Sequence, residues 1–401
     1  MRTFIQAAKA LLVNYCLLPI AYCLLPIAYC LLPIAYCLLP IAYCLALIHC
    51  LAAEKYVKIL SVWITSSLTT ALTPTAVALG NFDGVHLGHQ QVIAPILPKP
   101  VTAQAQALTS SNLEQFSNPE TTGPNLDPNL ELIYPTVATF NPHPREFFSG
   151  QAWKLLTPPT EKAQQLSALG VQQLALLPFN RELASLSPQE FVEKILVEQL
   201  QAQQVSVGED FCFGHKRAGT ATDLDAIASA YGITVHIVSL YKRQDQRISS
   251  SSIRQSLAQG DIDKANRFLG RPYTLIGIVE KGQQLGRTIG FPTANLHLPP
   301  DKFLPKLGVY CVEVSHGPES SNLDTNLSSH PGVMNIGMRP TVKGTSLTVE
   351  VHLFDWSGDL YGKTLTVSLK QFIRSEQKFS SLDQLKAQIQ IDCEAARDFF
   401  G

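Results

Sequence analysis

The residues GNFDGVHLGH at 80–89 bring together types that can handle a triphosphate. An apolar strand is expected over 75–81, and a helix should open just after the block. Gly80 and Gly84 let backbone N–H groups come close to phosphate oxygens, and a helix N-terminus adds partial positive charge. Phe82 and Asp83 complete the turn between them. His86 and His89 are three apart, so a helix puts them on one side. There they can donate to the oxygens of a reacting phosphorus. The pair alone reads equally well as two metal ligands or an accidental helix face. Its place after a strand-end glycine block points instead to phosphate and to nucleotidyl transfer.

A second block, ISSSSIR at 248–254, opens another expected helix. Serine hydroxyls, among them those of Ser250 and Ser251, suit the start of a helix. Arg254 stands one turn further on, where its guanidinium could fork onto a leaving pyrophosphate. A serine cap with a surface arginine is the bland reading. NPHP at 141–144 ends a strand in an extended turn and carries His143. VGEDFCFG at 207–214 ends another strand and carries Asp210, with Phe211 and Phe213 able to stack on a flat ring or to fill a core. Further on, GFPTANL at 290–296 places Thr293 and Asn295 two apart on an extended chain, so both side chains point the same way. Two neutral oxygens suit a hard cation that also binds phosphate, although either residue could simply belong to a turn. Glu350 lies within an apolar strand pattern, as a solvent-facing carboxylate or as a base for an attacking alcohol.

The elements that must position these residues fall into two groups. Strands are expected at 75–81, 135–140, 172–179, 204–208 and 233–238. Helical stretches lie between them at 158–169, 188–196 and 222–231. Such alternation predicts an α/β fold with a parallel, doubly wound sheet, whose ligands sit beyond the carboxyl ends of the strands. After a boundary near Gly270 the pattern changes to short strands at 273–280, 309–314, 333–335, 346–354 and 364–369. One helix then runs from about 382 to 399. Strands in series with Gly and Pro turns predict a small antiparallel β-barrel. Polar segments at about 99–129 and at 315–329 read as inserted surface loops.

With 401 residues the chain has room for two domains, and its net charge of −1 argues against a nucleic-acid partner. Six of the nine cysteines lie at or before Cys50. The other three, Cys212, Cys311 and Cys393, lack metal-ligand spacing; no disulfide framework is implied, and a reducing cytosol fits. Five of the early cysteines, all but Cys50, belong to a repeat, YCLLPIA, that begins at Tyr15 and recurs without substitution. No charged residue occurs from Leu11 to Ala53, so the segment has the apolar length of a membrane span. Proline in every copy is unfavourable for a helix. The heptapeptide is also what the base unit TATTGCC yields when repeated and translated straight through. Residues 1–61 are therefore read as translated repetitive DNA, with the native polypeptide expected to start near Val62.

From about Ser61 onward the chain resembles the prokaryotic bifunctional FAD synthetases. The blocks that carry the resemblance are GNFDGVHLGH, NPHP, VGEDFCFG, ISSSSIR, GFPTANL, GVY, NIGMRPT, VEVHLFD and FIRSEQKF, in the family's order. It implies a Rossmann-like FMN adenylyltransferase domain over 62–269 and a β-barrel riboflavin kinase domain, with a C-terminal helix, over 270–401. The implied substrates are riboflavin, FMN and ATP, with Mg²⁺ as the metal and FMN and FAD as products. His86 and His89 would contact the ATP phosphates, Gly80, Phe82, Asp83 and Gly84 would belong to the same ATP- and phosphate-binding site, and Asp210 would hold the adenylyl site. Ser250, Ser251 and Arg254 would hold the pyrophosphate end. Thr293 and Asn295 would bind Mg²⁺ and ATP, and Glu350 would be the catalytic base. His143, Phe211, Phe213 and Arg374 would face the flavin. A cytoplasmic enzyme follows, with no membrane partner unless the repeat is itself translated. Oligomeric state is not implied.

Overall fold

The computed structural model of the protein describes residues 62–98, 132–243, 246–282, 285–316, 329–341 and 344–401. The repeat and the insert read at about 99–129 lie outside these residues, and the loop read at 315–329 is described only at its ends.

Six parallel strands form the first sheet: β1 (Trp63–Thr65), β2 (Thr75–Leu79), β3 (Tyr134–Asn141), β4 (Gln173–Pro178), β5 (Ala202–Gly208) and β6 (Thr234–Val238). Their order is β1-β4-β3-β2-β5-β6. The chain reverses its direction of travel across the sheet between β2 and β5, and a crevice opens at their carboxyl ends. Strand β2 shows why both sheet faces must be covered, since all five of its residues are buried. Val77 and Leu79 join Ala138, Leu177 and Val205 on one face, while Ala76 and Ala78 join Val137 and Leu174 on the other. Side chains alternate along a strand, so a wholly apolar strand has to be sandwiched.

The helices that matter for the crevice are α1 (Leu87–Ile93), α2 (Pro144–Ser149), α3 (Pro159–Ala168), α4 (Ala221–Ser229), α5 (Ser250–Gln259) and α6 (Ile262–Leu269). Ser249 starts α5 with a reciprocal cap: its hydroxyl accepts the Ser252 N–H, and the Ser252 hydroxyl accepts the Ser249 N–H. The helical stretch read at 188–196 is Pro188–Phe191, which widens into a π-type coil over Val192–Gln199. Strand β1 was not legible because only three residues pair, at the sheet edge.

The second architecture is a closed antiparallel barrel of β7 (Tyr273–Glu280), β8 (Ala294–His297), β9 (Gly308–His316), β10 (His330–Thr341), β11 (Gly344–Leu353) and β12 (Thr364–Ser375). They close in the order β7-β8-β11-β10-β9-β12. Helix α7 (Leu382–Phe400) covers one side. Period-two alternation explains the packing of β9. Tyr310, Val312 and Val314 fill the barrel, while Val309 and Cys311 meet Cys393 and Ala396 of α7. One expectation is corrected here: the short strand read at 333–335 runs over His330–Thr341, because pairing with β9 and β11 on both edges overrides its Gly and Pro content. The extended chain read for Asn295 is strand β8.

Gly270 marks a change of architecture without a break in the core. Ile253, Leu257, Phe268 and Leu269 pack in one cluster with Tyr273, Leu275, Tyr310 and Leu369. A buried ion pair crosses the same junction. Lys302 lies between β8 and β9, and its ammonium donates to Glu161 of α3 and, at 2.8 Å, to the Leu156 carbonyl. The two charged side chains are 1% and 5% exposed. Burial pushes the Glu161 carboxyl above its ordinary range, and Lys302 opposes that rise. Lys302→Met should therefore strand a buried carboxylate and cost about 3 kcal/mol in urea unfolding at pH 8. Without Lys302 the folded-state pKa of Glu161 rises further above its unfolded value. That penalty is absent at low pH and grows as pH rises, so the deficit should be smaller at pH 5. An equal deficit at both pH values would contradict the pairing.

Candidate active sites

A cavity of about 280 Å³ opens at the carboxyl ends of the parallel strands. The turn after β2 contributes Asn81, Asp83 and His86, and β3 leads to His143. From β5 come Gly208 and Asp210, and the segment that starts α5 contributes Ser249, Ser250, Ser251 and Arg254. Residues that are far apart in the chain are thus gathered at the switch point of the sheet.

His86 is the N-cap of α1. Its Nδ1 accepts the His89 N–H at 3.2 Å. A ring that accepts at Nδ1 carries its neutral-state proton on Nε2. Burial, with a smaller contribution from Arg271, pulls the His86 pKa down to about 4 against the raising effect of Asp83. His89 is pushed well below the usual histidine value by burial and then by His86, Lys162 and Arg271. The two rings stack with centroids 3.6 Å apart, an arrangement suited to neutral imidazoles. His143 repeats the device. It caps α2 by accepting the Arg145 N–H at 3.1 Å, and burial lowers its pKa to about 4. His86 and His143 therefore offer neutral Nε2–H donors in the cavity wall.

The positive charge of this cavity comes from arginine. Arg254 pairs with the buried Asp83 carboxylate. Asp83 also accepts the Leu156 N–H at 2.7 Å and the Thr157 N–H at 3.2 Å. Its oxygens hold the site's own walls, while Asp83 itself lines the cavity. Ser250 donates to the Asp83 carbonyl at 2.7 Å, and Ser251 lies exposed on the rim. Asp210 is half-exposed and pairs with Arg247.

Several expected contacts lie elsewhere. Gly80, Phe82 and Gly84 do not line the cavity. The Gly80 N–H donates to Ala138, and the Gly84 N–H donates to Thr157 Oγ1 at 2.9 Å. The glycine block thus shapes the turn without presenting those N–H groups to a ligand. Gly84 needs to be glycine because its φ is +93° and Leu156 presses on the space a Cβ would fill. Phe82 is buried, edge-on to His89. Phe211 and Phe213 stack on each other, and Phe213 is buried in the sheet core beside Phe191. The core use of these two rings wins over the ligand-stacking one. Trp153, Arg145 and Tyr241 line the cavity without belonging to any block that sequence reasoning could single out.

The second cavity, about 360 Å³, lies between one wall of the barrel and α7. Thr293, Asn295, Glu350 and Arg374 all line it. Glu350 on β11 is in register with Asn295 on β8 and Asn335 on β10. Barrel closure therefore sets a carboxylate between two amides. The lining also includes the apolar side chains of Ile289, Phe291, Phe379 and Ile389. Arg374 is held in a fork by Asp392 of α7, with N–O distances of 2.8 and 2.7 Å. That partner lies eighteen residues away and was not legible. Glu376 accepts the Met338 N–H at 3.0 Å and so ties the FIRSEQKF block to NIGMRPT. Among the described residues no three His, Cys, Asp or Glu side chains gather into a metal cluster.

The family model for riboflavin kinase matches residues 269–400, and that for FAD synthetase matches 68–112 and 129–252. A bifunctional riboflavin kinase/FMN adenylyltransferase from Pseudomonas fluorescens is 39% identical over 321 residues, spanning 80% of this chain and 91% of its own. One from Escherichia coli (strain K12) is 38% identical over 324 residues, spanning 80% and 92%. A crystal structure described as a macrolide-efflux protein from Streptococcus pneumoniae superposes with a TM-score of 0.65 at 29% identity, covering 83% of this chain and 98% of that one. Among the described residues no helix is long and apolar enough to cross a membrane. The geometry of the first cavity has a direct consequence for titration. In an NMR pH titration the His86 ring should change state near pH 4, below the ordinary midpoint near 6.5. A midpoint at or above 6.5 would contradict the buried, neutral assignment.

Proposed function

The chain belongs to the bifunctional riboflavin kinase/FMN adenylyltransferase family, and we propose which residues carry its two reactions. It phosphorylates riboflavin to FMN with ATP, then adenylylates FMN to FAD with a second ATP and releases pyrophosphate. The proposal assigns the first reaction to 270–401 and the second to 62–269. The observation that carries it is the partition of side chains between the two cavities. One has a carboxylate beside neutral amides and an apolar wall. The other has neutral ring N–H donors and arginines at a sheet switch point.

In the kinase step the ribityl hydroxyl attacks the γ-phosphorus of ATP. The O–P bond forms, the bond to the bridging oxygen breaks, and ADP leaves. Glu350 takes the hydroxyl proton. The apolar wall of Phe291, Ile289 and Phe379 suits a flat ring system, with Arg374 at its edge. Thr293 and Asn295 would hold Mg²⁺ through neutral side-chain oxygens, with the ATP phosphates supplying the negative charge such a hard cation needs. When bound, the ion would neutralise phosphate charge.

In the adenylyl step an FMN phosphate oxygen attacks the α-phosphorus and pyrophosphate leaves. The nucleophile is already an anion, so this step requires no base. What it requires is stabilisation of charge on the equatorial and leaving oxygens. Nε2–H of His86 supplies a neutral donor, His89 fixes the ring it stacks on, and Arg254 faces the leaving pyrophosphate. Ser250, Ser251 and Asp210 form the nucleotide rim. A cytoplasmic location is part of the same reading, since Cys212, Cys311 and Cys393 are free thiols that a reducing compartment preserves.

Reciprocal substitutions test the partition. Glu350→Gln should lower riboflavin phosphorylation by about 10²–10⁴ and leave FAD formation from supplied FMN intact. His86→Ala should lower FAD formation by about 10²–10³ and leave phosphorylation intact. Parallel loss of both activities in either variant would contradict the assignment.

A further inference from the structure

Trp153 has no role in either reaction as derived so far, and it belongs to none of the sequence blocks. It sits in the irregular connection between α2 and α3, where its own N–H donates to Glu146 at 3.2 Å. Its ring is surrounded by the charged and polar groups of the first cavity. The Arg254 guanidinium carbon is 4.8 Å from the Trp153 ring centre and 4.8 Å from that of Phe303. The Arg145 guanidinium is 4.9 Å from the same indole, and the His143 ring stacks on it with centroids 5.5 Å apart. Among the described residues its buried Nε1–H has no hydrogen-bond partner. A tryptophan that only filled space would not need three polar side chains around its ring.

We propose that Trp153 is a positioning residue for adenylyl transfer, clamping the Arg254 guanidinium between its own ring and that of Phe303. The inference rests on the reading that Arg254 serves the leaving pyrophosphate. A guanidinium is planar and weakly hydrated, and it stacks on aromatic faces. With both ring centres 4.8 Å from its central carbon, its N–H groups donate at the edge of the plane. Asp83 takes part of that edge. The remainder is left for a ligand in the cavity that Arg254 lines. The clamp spans both halves of the chain, since Trp153 precedes α3 while Phe303 follows the buried Lys302 of the barrel. Phosphate binding would draw on Arg254 at its free edge without loosening the stack.

The test is a double-mutant cycle on the full chain, reading FAD formation from supplied FMN and ATP, with riboflavin phosphorylation as the control for folding. Trp153→Ala should lower kcat/KM for FAD formation about tenfold, the scale of a desolvated cation–π contact. Trp153→Phe keeps an aromatic face and should stay within about threefold of native. Arg254→Ala should cost about 10²-fold. The double variant should be no worse than Arg254→Ala within about twofold, because Trp153 then has nothing to position. Phosphorylation should be unchanged throughout. Losses that multiply in the double variant, or a native rate for Trp153→Ala, would overturn the clamp while leaving the role of Arg254 standing. A native rate for Arg254→Ala would overturn both.

Discussion

A carboxylate cannot be buried without partners, and the way Asp83 meets that demand organises the adenylyl site. Asp83 is 3% exposed. It accepts two backbone N–H groups from residues 156–157 and pairs with Arg254 from α5, so three separate segments converge on one side chain. An unpaired buried charge costs several kcal/mol, so the three segments are held to one arrangement. Arg254 is thereby fixed at the cavity wall, and the turn carrying His86 is fixed with it.

The same low-dielectric surroundings set the character of the histidines. Burial removes their positive charge, and backbone capping decides which nitrogen keeps the proton. Neutral donors beside an arginine held by Asp83 can stabilise charge that develops in the transition state, and they need no reorganisation when it appears. The barrel cavity works on another principle. There a carboxylate is placed by strand register between Asn295 and Asn335, against an apolar wall. The two chemistries have separate cavities, yet the core is continuous through α5, α6 and the barrel, and Lys302 pairs with Glu161 across the junction.

Residues whose type is dictated by local geometry were legible in the sequence. Gly84 must adopt a positive φ, Ser249 must cap a helix, and His86 must end a strand-to-helix turn, so short motifs announce them. Glu350 was legible as a carboxylate in an apolar strand, although its neighbours across the barrel were not. What failed was inference about direction. The N–H groups of Gly80 and Gly84 are spent inside the turn, and Phe213 points into the core. A period read from one strand does not say which face a short two-residue strand such as Cys212–Phe213 will present. Trp153 and Asp392 meet Arg254 and Arg374 only through long-range folding, and nothing local marks them. The long strand His330–Thr341 was underread for a related reason, because its Gly and Pro residues are tolerated by pairing on both edges.

The central claim is that one chain holds two independent active sites, one built on Glu350 and the other on the His86 turn. Complementation in trans tests it most directly. Glu350→Gln protein and His86→Ala protein, each supplied with riboflavin and ATP, should make almost no FAD alone. Mixed together they should make it, because FMN released by the His86→Ala protein is adenylylated by the Glu350→Gln protein. A mixture that stays as inactive as its components, although each variant retains its other activity, would contradict two sites that exchange FMN through solution.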